Sequence, residues 1–551
     1  AAPTAAAMAP VATPAAEPTA AEPPAAPAAA ASPAAASAAA APTAAAPTAA
    51  APTAAAMAPV ATPAAEPTAA ESTAAPAAAA STAAPAAAAS TAAESTAVAS
   101  AAAAAGAARS GARPYDFNGD GRRDLAIGSP NGTVAGKRGA GFVSVVHGSR
   151  SGLDTRRKKV ISQNTPGVPG AAETGDHFGS GLVSADFNRD GYADLAVGAP
   201  GEDAGRRANA GNVTIIWGSR SGLGSRASAY GEAGGGARHR FGETLTVGDI
   251  QGDGSPELFV SVPGTSSYTW LYFGSGRARA VGARTLSAVD VDRSWLASGD
   301  VNGDGRGDVV YAWFDADDPE IEHRRGFTVF HGTANGRFSK GRTVYTTVHA
   351  LAVGDFNGDR RADIAVGDTD DRPSVGGRVT VYRGGLFGLG GSYAIDQATS
   401  GVPGLGINED VFGYSLAVGD ANRDGRADLA VGAPKADVGR TFDAGRAYLL
   451  LGSPKGLTGR GARTVSQNTS GVPGGAEEYD HFGFQVSLLD HTGDGAADLA
   501  VGAPDEDRGD GGVTVVRGAP AGLTTHGAVA VGSPTFGTRG RNARLGGLLG
   551  R

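Results

Sequence analysis

The sequence predicts an all-β fold, a seven-bladed β-propeller of four-stranded antiparallel blades preceded by a disordered Ala/Pro-rich segment. Three observations predict it. A nine-residue acidic loop followed by a short apolar run begins at Asp116, Asp186, Asp249, Asp300, Asp355, Asp420 and Asp490, at a mean spacing of about 62 residues. A fixed period of this size marks stacked units that cannot bury their faces alone. Within one period, short apolar runs alternate with Gly, Asp and Ser, leaving room for four short strands and their turns. The composition also changes sharply near residue 105.

Residues 1–105 are almost wholly Ala, Pro, Thr and Ser, with no aromatic residue, no Lys and no Arg. A segment around Met8 and Glu17 recurs around Met57 and Glu66. Ala favours helix, but recurrent Pro interrupts it, and nothing large is present to offset the entropy of ordering. A disordered stalk or linker is expected here, with a propeller over residues 110–551.

The loop from Asp186 shows the chemistry that the repeat carries. Asp186, Asn188, Asp190 and Asp194 place oxygen side chains at positions one, three, five and nine of a tight turn, and Gly191 supplies the sharp bend. Ca²⁺ takes six to eight oxygen ligands, and such a loop offers them from side chains and a main-chain carbonyl. An EF-hand would need Glu at position twelve, where this loop has Val197. The same pattern holds in full for Asp116, Asn118, Asp120 and Asp124; for Asp300, Asn302, Asp304 and Asp308; and for Asp420, Asn422, Asp424 and Asp428. Three loops depart from it. Asp249, Gln251, Asp253 and Glu257 use longer side chains; Asp355, Asn357, Asp359 and Asp363 enclose Arg360 instead of the turn Gly; Asp490, Thr492, Asp494 and Asp498 have Thr third. The four full sets are expected to bind Ca²⁺, mostly in a structural role, and the three departing sets are candidate ligands whose occupancy the sequence leaves open. Seven ions would change the formal net charge from −8 to +6, so the acidic surplus says nothing about partners.

The second repeat displays the whole unit. His177-Phe178-Gly179 leads into an alternating strand at 182–185, then the acidic loop, then the strand Leu195 to Gly198 ending in Ala199-Pro200. A third strand runs from Gly211 to Gly218, and Ser219-Arg220-Ser221-Gly222 turns into an outer one. Phe-Gly recurs at 241–242, 412–413 and 482–483, and Gly-Ala-Pro at 432–434 and 502–504. On these motifs the chain from about 110 onward resembles the FG-GAP repeats of integrin α subunits and of bacterial secreted relatives. That resemblance implies a seven-bladed propeller with calcium loops and an adhesion or ligand-binding role. Such repeats also accompany esterase- and phospholipase-type hydrolases, and a purely structural surface protein is a third reading.

The fourth and fifth repeats lack Phe-Gly, and the first has none ahead of Asp116, whereas Phe536-Gly537 stands unpartnered late in the chain. Ring closure by the end of the chain, with Phe536 buried beside residues 112–130, is the expectation.

Other motifs carry less. Arg306-Gly307-Asp308 spells an adhesion tripeptide, but Asp308 is also a loop ligand. His177 and His481 recur at matched places, which favours packing over catalysis. Gly148-Ser149-Arg150-Ser151-Gly152 has Arg where a nucleophile elbow needs Ser. No catalytic constellation, phosphate loop or dinucleotide fingerprint is present, and Arg is spread without stacking aromatics, which argues against nucleic acid. Absence of Cys removes disulfides and thiolate sites. No strongly apolar run is long enough to span a bilayer. The expectation is a secreted or cell-surface monomer, its signal peptide outside the sequence, with an extracellular protein or glycan as ligand.

Overall fold

Each repeat forms one antiparallel sheet, and seven four-stranded sheets result, as the computed structural model shows. The structure describes residues 111–551 apart from 225, 233–234, 264–266, 274–279, 288–292, 315–324, 371–374, 405, 408 and 539–542. The segment expected to be disordered, 1–105, lies outside the described residues.

The second blade illustrates why these residues make these strands. Its strands are Gly181–Ala185, Asp194–Ala199, Asn212–Ile216 and Ala227–Tyr230, paired in sequence order from the centre outward. Every residue of Asp194–Ala199 is buried, because neighbouring blades cover both faces of the strand. It therefore reads as an unbroken run of small and branched residues, not as an alternation. Outer strands meet solvent. In the first blade the outer strand Gly152–Ile161 exposes Arg156, Arg157 and Lys158, charges that blunt a sheet edge.

The innermost strands neighbour one another in a closed ring: Leu548–Leu549, Gly181–Ala185, Leu245–Gly248, Arg293–Gly299, Ala350–Gly354, Ser415–Gly419 and Gln485–Leu489. Phe-Gly and Gly-Ala-Pro meet at the seams between them. A Cβ on Gly198 would collide with the carbonyl of Gly242 in the next blade; Gly367 stands likewise against Gly413, and Gly432 against Gly483. Phe178, Phe241, Phe412 and Phe482 are fully buried, and each main-chain N–H donates to the preceding blade, at 2.7–3.0 Å. Burying one such ring contributes about 1.5–3 kcal/mol.

The end of the chain closes the ring and completes the first blade, as the sequence suggested. Leu548–Leu549 pairs with Leu125–Ser129, Leu549 opposite Ile127, and becomes the innermost strand of the first blade. Phe536 is buried, in one cluster with Leu125, Ile127 and Phe142, as expected. The seventh seam is nevertheless made by Leu545-Gly546 and not by Phe536-Gly537. Leu545 N–H donates to Asp510 O at 3.2 Å, the bond the phenylalanines make elsewhere, and Gly502 stands against Gly546 O. The residue before each head is left-handed too: His177, Arg240, Val411, His481 and Arg544 have φ of 56, 54, 53, 55 and 43°. Leu545 fills the pocket of the aromatic without carrying its signature.

Candidate cation loops

Antiparallel pairing places all seven acidic loops, each leading into the second strand of its blade, on one face of the ring. Within each loop the backbone bends twice into the left-handed region. Position six is Gly in six loops and Arg360 in the fifth, where φ is 69°. Position four is Gly119, Gly252, Gly303, Gly358 or Gly493, and Arg189 or Arg423 in the other two, again with positive φ. Sequence reasoning found the first bend and missed the second, whose Gly is not invariant among the repeats.

These bends aim main-chain donors at the carboxylates. Asp186 Oδ1 accepts the N–H of Asp190 at 3.0 Å, and Asp186 Oδ2 that of Gly191 at 2.9 Å. Asn188 Oδ1 accepts from Asp190 N–H, and Asp190 Oδ1 from Tyr192 N–H, both at 3.0 Å. Asp194 Oδ2 accepts from Phe187 N–H at 3.0 Å and Oδ1 from Gly218 N–H at 2.8 Å, so the ninth residue ties the loop to the third strand. The loops of Asp116, Asp300 and Asp420 repeat this scaffold. So does the departing fifth loop, where Arg360 N–H takes the place of the Gly donor to Asp355, at 2.8 Å.

The other two departures are chemical. Gln251 Nε2 donates to Glu257 Oε1 at 2.8 Å, so the third loop closes on itself. Thr492 donates its hydroxyl to Asp490 at 3.2 Å in the seventh.

Burial shapes the electrostatics of the ninth position. Burial first, and the neighbouring loop carboxylates after it, push Asp194 up to about 8, Asp498 to about 7, and Asp363 and Asp428 to about 6. Burial likewise raises Glu257 to about 7. Asp363 Oδ2 is buried without a hydrogen-bond partner. An all-oxygen set of crowded carboxylates, one of them with an orphaned oxygen, fits a hard divalent cation, whose charge would hold these acids ionised. Asp, Asn, Asp and Asp side chains with the position-seven carbonyl would be its ligands.

Two residues of the third strands that reach these loops were not anticipated. His147 Nδ1 lies 3.1 Å from Asp124 Oδ2, and His331 Nδ1 3.1 Å from Asp308 Oδ2. The hydrogen bond to Asp308 raises the pKa of His331. The signal was present in the sequence as a His-Gly pair repeated at 147–148 and 331–332.

The loops are also joined to one another. The N–H of position eight donates to the first-position carbonyl of the preceding loop: Ala193 to Asp116, Gly307 to Asp249, Ala362 to Asp300, Ala427 to Asp355, Ala497 to Asp420 and Arg123 to Asp490, at 2.6–3.0 Å. Pro256 has no N–H to give, and at that seam Arg189 reaches Ser255 Oγ at 3.1 Å instead.

The remaining motifs resolve as packing. Asp308 is fully buried and held by Val301 and Gly332 N–H, so Arg306-Gly307-Asp308 presents no free carboxylate. His481 pairs with Asp505 at 2.9 Å at the head of the seventh blade. Ser219 caps its own turn through Gly222 O at 2.7 Å. A cavity of about 370 Å³ at the centre of the ring is lined by Leu182, Leu245, Leu296, Leu351 and Leu416. Among the described residues no helix is long and apolar enough to cross a membrane.

The FG-GAP repeat model matches residues 109–146, 178–216 and 412–450, and the FG-GAP-like repeat model matches 249–311 and 300–366. The chain is an integrin-like FG-GAP-repeat propeller. This FG-GAP propeller is 33% identical over 148 residues to the phosphatidylinositol-glycan-specific phospholipase D of Mus musculus, covering 27% of this chain and 17% of that one. It is 34% identical over 186 residues to integrin alpha-PS2 of Drosophila melanogaster, covering 32% of this chain and 12% of the integrin. The match thus spans less than a fifth of either relative's length.

Proposed function

We infer that this is an exported, calcium-bound FG-GAP propeller that serves as an adhesion or ligand-binding module for an extracellular protein or glycan. The observation that supports it most is the array of seven oxygen-lined loops on one face, each pre-shaped by main-chain donors and each joined to a neighbour. Ca²⁺ would supply the positive charge that three crowded carboxylates require. The chain's own residues hold the loop open and clamp the ninth carboxylate to the third strand, while Arg122, Arg306, Arg361 and Arg426 pair with the fifth-position carboxylate of their own loops. Loops of this kind in extracellular modules fill at about 10⁻⁴–10⁻³ M calcium, which suits an exported protein. The opposite face, built from blade heads and exits, is left to present a ligand surface.

Calorimetric titration with Ca²⁺, paired with thermal melts in calcium and in chelator, tests the reading. Binding heat and a rise in Tm of several degrees or more are expected, because a ligand of the native state alone stabilises it by mass action. Coincident melts and no binding heat would overturn it. The similarity to a phospholipase D favours a second reading, a hydrolase that includes this propeller. Hydrolysis of a glycosylphosphatidylinositol lipid by the purified chain would establish it.

A further inference from the structure

A second set of acidic pockets lies on the face opposite the loops. Where the first blade's outer strand ends, Gln163 is only 2% exposed and donates from Nε2 to Glu202 Oε2 of the second blade. Asp176, also 2% exposed, stands close enough for its charge to act on Glu202. The seam into the seventh blade repeats the arrangement. Gln467, 5% exposed, donates to Glu506 Oε2, and Asp480 lies within hydrogen-bond reach of Glu506.

Two features of these pockets point to a ligand. The Oε1 atoms of both glutamines are buried with no hydrogen-bond partner. A buried amide oxygen left in that state costs about 1–3 kcal/mol unless something meets it. Each pocket also holds two carboxylates, and among the described residues no Lys, Arg or His forms an ion pair with Asp176, Glu202, Asp480 or Glu506; the nearby His481 and Arg544 are engaged by Asp505. Two neighbouring carboxylates, one buried and one half-buried, resist being charged together without a counter-charge.

The seam into the sixth blade is a natural contrast. Ala436 stands where Glu202 and Glu506 stand: Gly445 N–H donates to Ala436 O just as Gly211 donates to Glu202 O and Gly511 to Glu506 O, all at 2.9 Å. There Gln397 donates to Asp410 at 2.9 Å and to the Tyr448 hydroxyl at 3.0 Å. Gln397 Oε1 is buried without a partner here as well, so what sets this pocket apart is the second carboxylate, which a neutral phenol replaces.

We propose that Gln163, Asp176 and Glu202, and equally Gln467, Asp480 and Glu506, form two divalent-cation sites for Ca²⁺ that link the heads of the second and seventh blades to the blades before them. The donor set is oxygen throughout, two carboxylates and an amide carbonyl, with main-chain carbonyls and water to complete it. The sites are independent of the seven acidic loops and stand whether or not those loops are filled.

Bound Ca²⁺ per chain, counted by equilibrium dialysis at saturating calcium on the intact protein, tests this. The double variant Glu202→Gln with Glu506→Gln keeps shape and hydrogen bonding, and should bind two fewer ions than the parent. Asp194→Asn, in a loop, should lose one. A gain-of-site variant guards against misfolding: Ala436→Glu with Tyr448→Thr should bind one more. If the parent binds only two ions and the double variant none, the loops are empty and this assignment stands alone. Equal stoichiometry in the parent and the folded double variant overturns it. So does a double variant that differs from the parent only in the pH dependence of its melting, since the carboxyl pair then shares a proton.

Discussion

Arg360 shows how far one residue can depart from the pattern without breaking it. Its φ of 69° is the conformation the other six loops give to Gly, and its N–H still donates to Asp355. A side chain there costs about 1–2 kcal/mol, partly offset because Gly has more freedom to lose on folding. Arg360→Gly should therefore stabilise the protein by up to about 1 kcal/mol in denaturant melts. Gly198 lies at the other extreme. Its missing Cβ would strike the carbonyl of Gly242 across the seam, and a backbone atom cannot rotate away. Gly198→Ala should cost about 1–3 kcal/mol, the usual penalty for overpacking. A neutral result would mean that the seam is looser than the structure shows. Position one, three, five, six and nine of each loop were legible in the sequence because chemistry and strain restrict them to a few residue types. Position four was not, since Arg189 and Arg423 adopt there the conformation that Gly adopts elsewhere.

At the level of the element, the acidic loop and the strand after it behave as one unit. The ninth carboxylate bonds both the start of the loop and the third strand, so loop charge and sheet register are coupled. Asp194, Asp363, Asp428 and Asp498 have folded pKa values of about 8, 6, 6 and 7, above the ordinary value near 4. Each binds its proton more tightly folded than unfolded. The stability these four acids lend the cation-free fold is fully present below about pH 4 and is lost as pH rises from there toward 6–8. A cation held by these acids removes that loss. The gap in Tm between calcium and chelator should consequently widen from pH 5 to pH 8; a gap that narrows or stays flat would contradict the burial argument. The elements themselves were legible, since every second strand is an unbroken buried run and every loop a cluster of Asx and Gly. The histidines at 147 and 331 recur visibly in His-Gly pairs, but their role was not legible, because they lie on the next strand of the blade and reach the loop only once the sheet has paired.

The whole molecule depends on how the ring is sealed. The sequence pointed to the late Phe-Gly because an aromatic signature is easy to see, and Phe536 is indeed buried with Leu125 and Ile127. Closure itself falls to residues with no signature. Leu545 takes the place of the aromatic, Gly546 allows the close approach to Gly502, and Leu548–Leu549 adds the innermost strand of the first blade. Only the three-dimensional seam distinguishes Leu545 from any other leucine. Gly550 N–H then donates to Ala126 O at 2.9 Å, and Tyr115 donates its hydroxyl to Arg551 O at 3.1 Å. Deleting the Leu545 side chain should cost about 2–5 kcal/mol, and Phe536→Ala about 3–5 kcal/mol, both being buried truncations. The two should differ in kind. Phe536 sits beside the seal, so its loss should lower Tm while melting stays a single transition. Leu549→Asp puts a charge where the innermost strand meets Ile127 and frees the edge of the first blade. Hydrogen exchange in that variant should rise first at Leu125–Ser129 and Phe142–Ser149, before any change in the fourth blade. Exchange that rises evenly around the ring would show that the blades unfold as one body, and that no single strand is the seal.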